Sequence, residues 1–133
     1  MAILLDSSFI IAFDNEDDVH HKTAIELWKN IEKLKFGQYF ISDYLFDEII
    51  AVSLRKTNKD DTIKLGEKIM KSPSMFHIDN HIFNKTWKIF KKINLNLSFT
   101  DCTNLFLMDL TGSKYIATFD KEFKKVKEIE VID

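Results

Sequence analysis

The N-terminal stretch MAILLDSSFI, residues 1–10, decides how this chain is read. Ala2 to Leu5 are apolar without alternation, the pattern of a strand buried on both faces of a parallel sheet. Asp6, Ser7 and Ser8 follow at once. A carboxylate there is either a turn or cap residue or part of a site at the edge of the sheet.

The rest of the chain alternates in the same way. Residues Asp17–Leu34 carry Ala24, Leu27, Trp28, Ile31 and Leu34 at helical spacing. Tyr39–Ser42 reads as a strand and Tyr44–Lys56 as a helix with Leu45, Ile49 and Val52 on one stripe. Asp60–Lys71 reads as a polar-faced helix and Met75–Ile78 as a short strand. Asp79–Lys92 is a helix using Ile82, Phe83, Trp87, Ile89 and Phe90, and Phe99–Leu110 is a helix capped by Ser98. Lys114–Phe119 is a strand, and KEIEVID closes the chain with another. Strands alternating with helices predict an α/β fold, a mostly parallel sheet covered on both faces. Such sheets bind ligands beyond the carboxyl ends of their strands.

Composition narrows the function. The 133 residues suit one domain spanning 1–133, and 45% hydrophobic with 30% charged residues predicts a soluble globular protein. No apolar run is long enough to span a bilayer, and no secretory leader is evident. The single cysteine, Cys102, has no internal partner, so a cytoplasmic location is expected. Net charge is −2 and only Arg55 is arginine, which excludes a strongly basic nucleic-acid binder reading phosphates through several arginines. It does not exclude a nuclease that holds a metal with acids.

Four acids occupy such positions. Asp6 and Asp120 each end a strand and project at the same sheet edge. Glu48 lies about one turn inside the helix that follows its strand, and Asp101 lies in the first turn of the helix leading to YIATFD. Each has a structural explanation when taken alone: turn, cap, capping box with Ser98, or solvated flank. Together, four carboxylates repel and raise one another's pKa values. A hard cation such as Mg²⁺ or Mn²⁺ relieves that repulsion and can activate water at a phosphate.

The segments LLDSS, FISDYLFDEII, LSFTDCTNLFLM and YIATFDKEF resemble, in order and spacing, the PIN-domain nucleases, most closely the small VapC-type toxins. The resemblance implies a three-layer α/β/α fold with a five-strand, mostly parallel sheet and metal-dependent endonuclease action on RNA. It places the family's acids on Asp6, Glu48, Asp101 and Asp120, which would hold Mg²⁺ or Mn²⁺ directly or through water. It places supporting hydroxyls on Ser7 and Thr118. It also implies a homodimer and a small antitoxin that blocks the cleft. The choice of Glu48 over Asp47 or Asp43 rests on the DEI pattern, because neighbouring helix positions diverge by about 100°.

Other features are weighed likewise. His20 and His21 are adjacent, not at the spacing of a helical zinc site; the resemblance to the family, where similar segments lie near the cleft edge, implies substrate contact. Lys85, Lys88 and Lys92 share a helical face and read as solvated surface. Lys121, Lys124 and Lys125 follow Asp120 closely and could meet RNA phosphates. Phe9, Phe13, Phe46, Phe83, Phe90, Phe99, Phe106 and Phe119 fall at core periodicity, and the pairing of Phe9–Phe13 with Ile49–Val52 could leave a patch for a partner. Within the resemblance, a stand-alone RNA-processing nuclease is the alternative to a toxin, and two other classes compete. A receiver-like domain fits the helix-borne Glu48 and Asp101 poorly, and a non-catalytic RNA-binding module would be expected to have lost an acid.

Overall fold

The structure, a computed structural model, describes residues 1–133. Strand β1 (Ala2–Leu5) leads into helices α1 (Ser7–Asp14) and α2 (His21–Ile31). Strand β2 (Gln38–Ser42) follows, with helices α3 (Asp43–Lys56) and α4 (Lys59–Lys71), then strand β3 (Ser74–Phe76). Helices α5 (Asn80–Lys92) and α6 (Phe99–Thr111) return the chain to strand β4 (Tyr115–Ala117). A 3-10 turn (Lys121–Lys125) and strand β5 (Glu130–Ile132) complete it.

Every strand pair is parallel and the order is β3-β2-β1-β4-β5. The chain builds outward from β1 to β3, then jumps back across the sheet to β4. Crossovers in parallel sheets keep one hand, so the reversal puts α5 and α6 on the face opposite α1–α4. Three layers result. The predicted α/β/α class is the observed one, and the sheet is wholly parallel.

The central strands explain the apolar run. Ile3 and Leu4 on β1, Phe40 and Ile41 on β2 and Ile116 on β4 are buried, each strand being covered from both sides. The helices start where side chains cap them. Ser42 Oγ accepts from the Leu45 N–H at 3.1 Å, Asn58 from Asp61, Asp79 from Ile82 and Ser98 from Asp101. No helix is long and apolar enough to cross a membrane.

Four local expectations differ from the structure. The helix expected from Asp17 begins only at His21. Asn15 Oδ1 takes the Asp17 N–H and Asp18 Oδ1 takes the His20 N–H, and these side-chain bonds hold the backbone in turns. The strand expected over Lys114–Phe119 is only three residues long. Past Ala117 the backbone leaves the ladder, and the Phe119 N–H donates instead to Ser8 Oγ at 2.9 Å. The stripe on α5 splits: Ile82 is buried and Ile89 half-buried, whereas Phe83, Trp87 and Phe90 face solvent at 38–48% exposure. Phe9 and Ile49, proposed as part of an open patch, lie in the core.

One glycine is indispensable to the sheet. Gly37 enters β2 with φ +86°, and a Cβ there would lie 2.0 Å from the Met1 carbonyl oxygen. Gly37→Ala therefore combines left-handed strain with a backbone clash at the β1–β2 pairing. A loss on the order of 3 kcal/mol is expected in denaturant unfolding; an unchanged midpoint would contradict this account.

Candidate active site

Asp6 stands where β1 becomes α1. Its backbone N–H extends the ladder by donating to the Ala117 carbonyl at 3.0 Å. Although it occupies the N-cap position of α1, its side chain makes no capping hydrogen bond. The cap explanation therefore does not hold for this residue. The carboxylate is 3% exposed. Oδ2 accepts from Thr118 Oγ1 at 2.6 Å, whereas Oδ1 is buried without any hydrogen-bond partner.

Thr118 is the hub that ties this carboxylate to β4. Its one hydroxyl proton goes to Asp6 when Asp6 is ionised. Its oxygen then accepts from the Asp120 N–H at 3.0 Å and from Ser8 Oγ at 3.1 Å. Ser8 in turn accepts from the Phe119 N–H. The hydroxyl that joins this network is thus Ser8. Ser7 makes no side-chain hydrogen bond to Asp6 or Thr118. Sequence periodicity gives no signal for choosing between two adjacent serines at a helix start.

Burial, above all, lifts the Asp6 carboxyl to about 7; the Thr118 hydrogen bond opposes this, and the negative charges of Asp101 and Glu48 add to it. Burial also raises Asp101. The hydrogen bonds from Ser98 oppose that rise, and the charges of Glu48 and Asp120 reinforce it. These couplings bring all four acids into one electrostatic neighbourhood. Glu48 is half-buried on α3, whereas Asp47 is exposed. Asp43 is committed elsewhere, accepting from the Ile78 N–H at 3.0 Å and lying 3.4 Å from His77 Nδ1.

Two of the acids also serve the backbone. Asp101 completes a capping box with Ser98, its Oδ2 accepting the Ser98 N–H at 3.0 Å. Asp120 Oδ1 accepts the Glu122 N–H at 3.0 Å. In each case the bond fixes the carboxylate's orientation. Cys102, next to Asp101, is a buried free thiol whose pKa is raised by burial and then by the Asp101 charge, so it stays protonated and inert. One turn beyond Asp101, Asn104 is fully buried with neither amide atom hydrogen-bonded, and no motif in the sequence marks it.

No three His, Cys, Asp or Glu side chains stand close enough to ligate one ion directly. The chemistry of the set still fits a divalent cation. All four donors are hard oxygens, Asp6 Oδ1 has no other partner, and Mg²⁺ keeps several of its waters when bound. The residues thus suit an ion bridged partly through water rather than a closed carboxylate cage.

The basic residues after Asp120 are mostly paired. Lys124 Nζ lies 2.7 Å from Asp133, and Lys125 lies 3.0 Å from Glu122, whose pKa that hydrogen bond lowers. Lys121 has no ion-pair partner. The two histidines diverge: His21 Nδ1 bonds the Ala12 carbonyl at 2.7 Å, while His20 stacks on Phe119 at 4.3 Å and 5°.

A sheet reversal with acids at its carboxyl edge defines a doubly wound α/β protein with an acidic edge. Residues 3–129 match the PIN domain, and the chain belongs to that family. It is 24% identical over 127 residues to a VapC ribonuclease of Archaeoglobus fulgidus, covering 92% of this chain and 80% of the relative. The fold is similar to the sarcin-ricin-loop-cleaving toxin VapC20 of Mycobacterium tuberculosis, with TM-score 0.83, 21% identity and 92% of both chains covered. It is also similar to VapBC2 of Rickettsia felis, solved with a promoter DNA fragment, with TM-score 0.73, 12% identity, and 99% and 98% of the chains covered.

Proposed function

We propose that this chain is a metal-dependent endoribonuclease, the toxin of a toxin–antitoxin pair. The observation that carries the reading is the buried, half-unpartnered Asp6 carboxylate, held by Thr118 and raised in pKa by the nearby charges of Asp101 and Glu48. Family membership and the VapC relatives support it. PIN nucleases generally use divalent metal ions. Here Asp6, Asp101 and Asp120, with Glu48 directly or through water, would hold Mg²⁺ or Mn²⁺.

When bound, the ion supplies an activated water and charge stabilisation at the scissile phosphate. The chain's own residues do the positioning. Thr118 aims Asp6, Ser98 aims Asp101, and the Glu122 N–H aims Asp120. The experiment is cleavage of total RNA by the purified chain with Mg²⁺, with Mn²⁺ or with chelator, the cut ends being mapped. Discrete cuts that need a divalent ion are expected; equal cutting in chelator, or none with either ion, would overturn the reading.

Thr118→Val keeps the shape but removes the donor to Asp6 and the acceptor for Asp120. Groups that orient ligands cost about 10- to 100-fold in activity when lost, and that fall in kcat is expected here. A Thr118→Val rate within twofold of wild type would remove the hydroxyl from the mechanism.

Protein partners are supported by two exposed apolar patches. Phe83, Trp87 and Phe90 stand on α5, while Leu54 on α3 and Ile63 and Met70 on α4 border an open groove. We assign these surfaces to a second copy of the chain and to the antitoxin, without distinguishing which takes which.

A further inference from the structure

We infer that a recess beside the four acids is a subsite for a backbone phosphate of single-stranded RNA, next to the scissile one. This rests on the ribonuclease reading and specifies how that site holds its substrate. The recess has a volume of about 250 Å³ and is lined by Ser7, Ser8, Ile11, Asp18, His20, Val52 and Lys56.

Its position follows from the fold. Ser7 and Ser8 directly follow Asp6, so the recess opens on the same edge as the carboxylates. On α3, Glu48, Val52 and Lys56 fall at i, i+4 and i+8, one face of the helix. The lining therefore runs from the acid cluster at Glu48 to a cation at Lys56 two turns on. The third wall comes from the α1–α2 loop. His20 is held flat against Phe119, which lies between Thr118 and Asp120.

Charge gives the recess its ligand. An edge crowded with carboxylates repels RNA, so the flanking phosphates need cations nearby. Lys124 and Lys125 already face Asp133 and Glu122. Lys56 forms no ion pair, and it shares the recess with the imidazole of His20 and the Ser7 hydroxyl. The one carboxylate on the wall, Asp18, is turned to the backbone, accepting the His20 N–H at 2.8 Å. Two groups able to carry positive charge and a hydroxyl thus meet in a hollow that adjoins the reacting phosphate.

The test uses the full chain with the cleavage reaction above and a fluorescently labelled single-stranded RNA for binding. Lys56→Gln and His20→Gln should each raise KM about three- to tenfold with kcat within twofold. For Lys56→Gln the dependence of log affinity on log salt should flatten by about 0.7, the value for one phosphate contact on a single strand. Lys88→Gln, the same charge change on α5, should leave the slope and KM alone. An active wild type with unchanged KM and salt slope in Lys56→Gln would overturn the subsite but not the nuclease. A wild type that neither binds nor cuts RNA would overturn both.

Discussion

Asp6→Asn should lower RNA cleavage by at least about 10³-fold while making the ion-free protein more stable at pH 8. The activity loss follows from losing the most buried charge of the proposed ion-binding set; 10³-fold corresponds to about 4 kcal/mol of barrier, within the several kcal/mol that an ion supplies at a phosphoryl oxygen. The gain in stability has the same origin. With its carboxyl raised from 3.8 to about 7, ionised Asp6 costs the folded state about 4 kcal/mol at pH 8. Asparagine carries no charge, and its Oδ1 can still accept from Thr118. Its amide N–H groups lack partners in the pocket, a cost of about 1–3 kcal/mol. A net gain of about 1–3 kcal/mol at pH 8 remains from these opposing costs, fading to a net loss near pH 4. Chemical denaturation in chelator at both pH values, paired with RNA cleavage, measures it. A variant that is inactive because it is unfolded would refute the argument.

The wild-type protein should show the complementary behaviour: acid-side stability, and rescue by ions above neutrality. Below pH 3.8 Asp6 is protonated folded or unfolded, and its contribution is fully present. Between 3.8 and about 7 the folded state keeps a proton that the unfolded state has released, so stability falls as pH rises. Asp101, also raised, acts in the same direction. A divalent cation binds the ionised carboxylates and competes with the proton, so it stabilises most at pH 8 and least at pH 5. At 100 times its dissociation constant an ion adds about 2.7 kcal/mol, a rise in Tm on the order of 10 °C for a domain of this size. Thermal melts with Mg²⁺, with Mn²⁺ and with chelator across pH 5–8 would show it. A larger shift at pH 5 than at pH 8 would reverse the sign and sink the idea.

The parts of the fold legible from sequence were those written as local pattern. An apolar run ending in Asp6 marks a central strand because it lacks alternation and is too short for a helix before the polar break. Helical geometry says only that Glu48 and Asp47 face apart; the choice of Glu48 came from the family's DEI pattern, and the structure exposes Asp47 while half-burying Glu48. What sequence could not show depends on partners distant in the chain. Ser8, not Ser7, reaches Thr118 because β4 happens to pass on that side. The aromatic stripe of α5 looks like core because periodicity reports one face, not which of two adjacent faces meets the sheet. Lys124 looked free for RNA because its partner Asp133 lies on the far side of β5 and is brought there by folding, whereas the Lys125–Glu122 pair is local, at i and i+3.

The strand order also governs when the protein becomes active during its own synthesis. Asp6 and Thr118 are 112 positions apart, and their hydrogen bond forms only once β4 has inserted beside β1. A nascent chain therefore presents its first acid long before the residues that steady it have left the ribosome. Long-range parallel pairing is also the slow step of such folds. Whatever chemistry depends on a steadied Asp6 therefore waits until β4 has been made and has inserted beside β1.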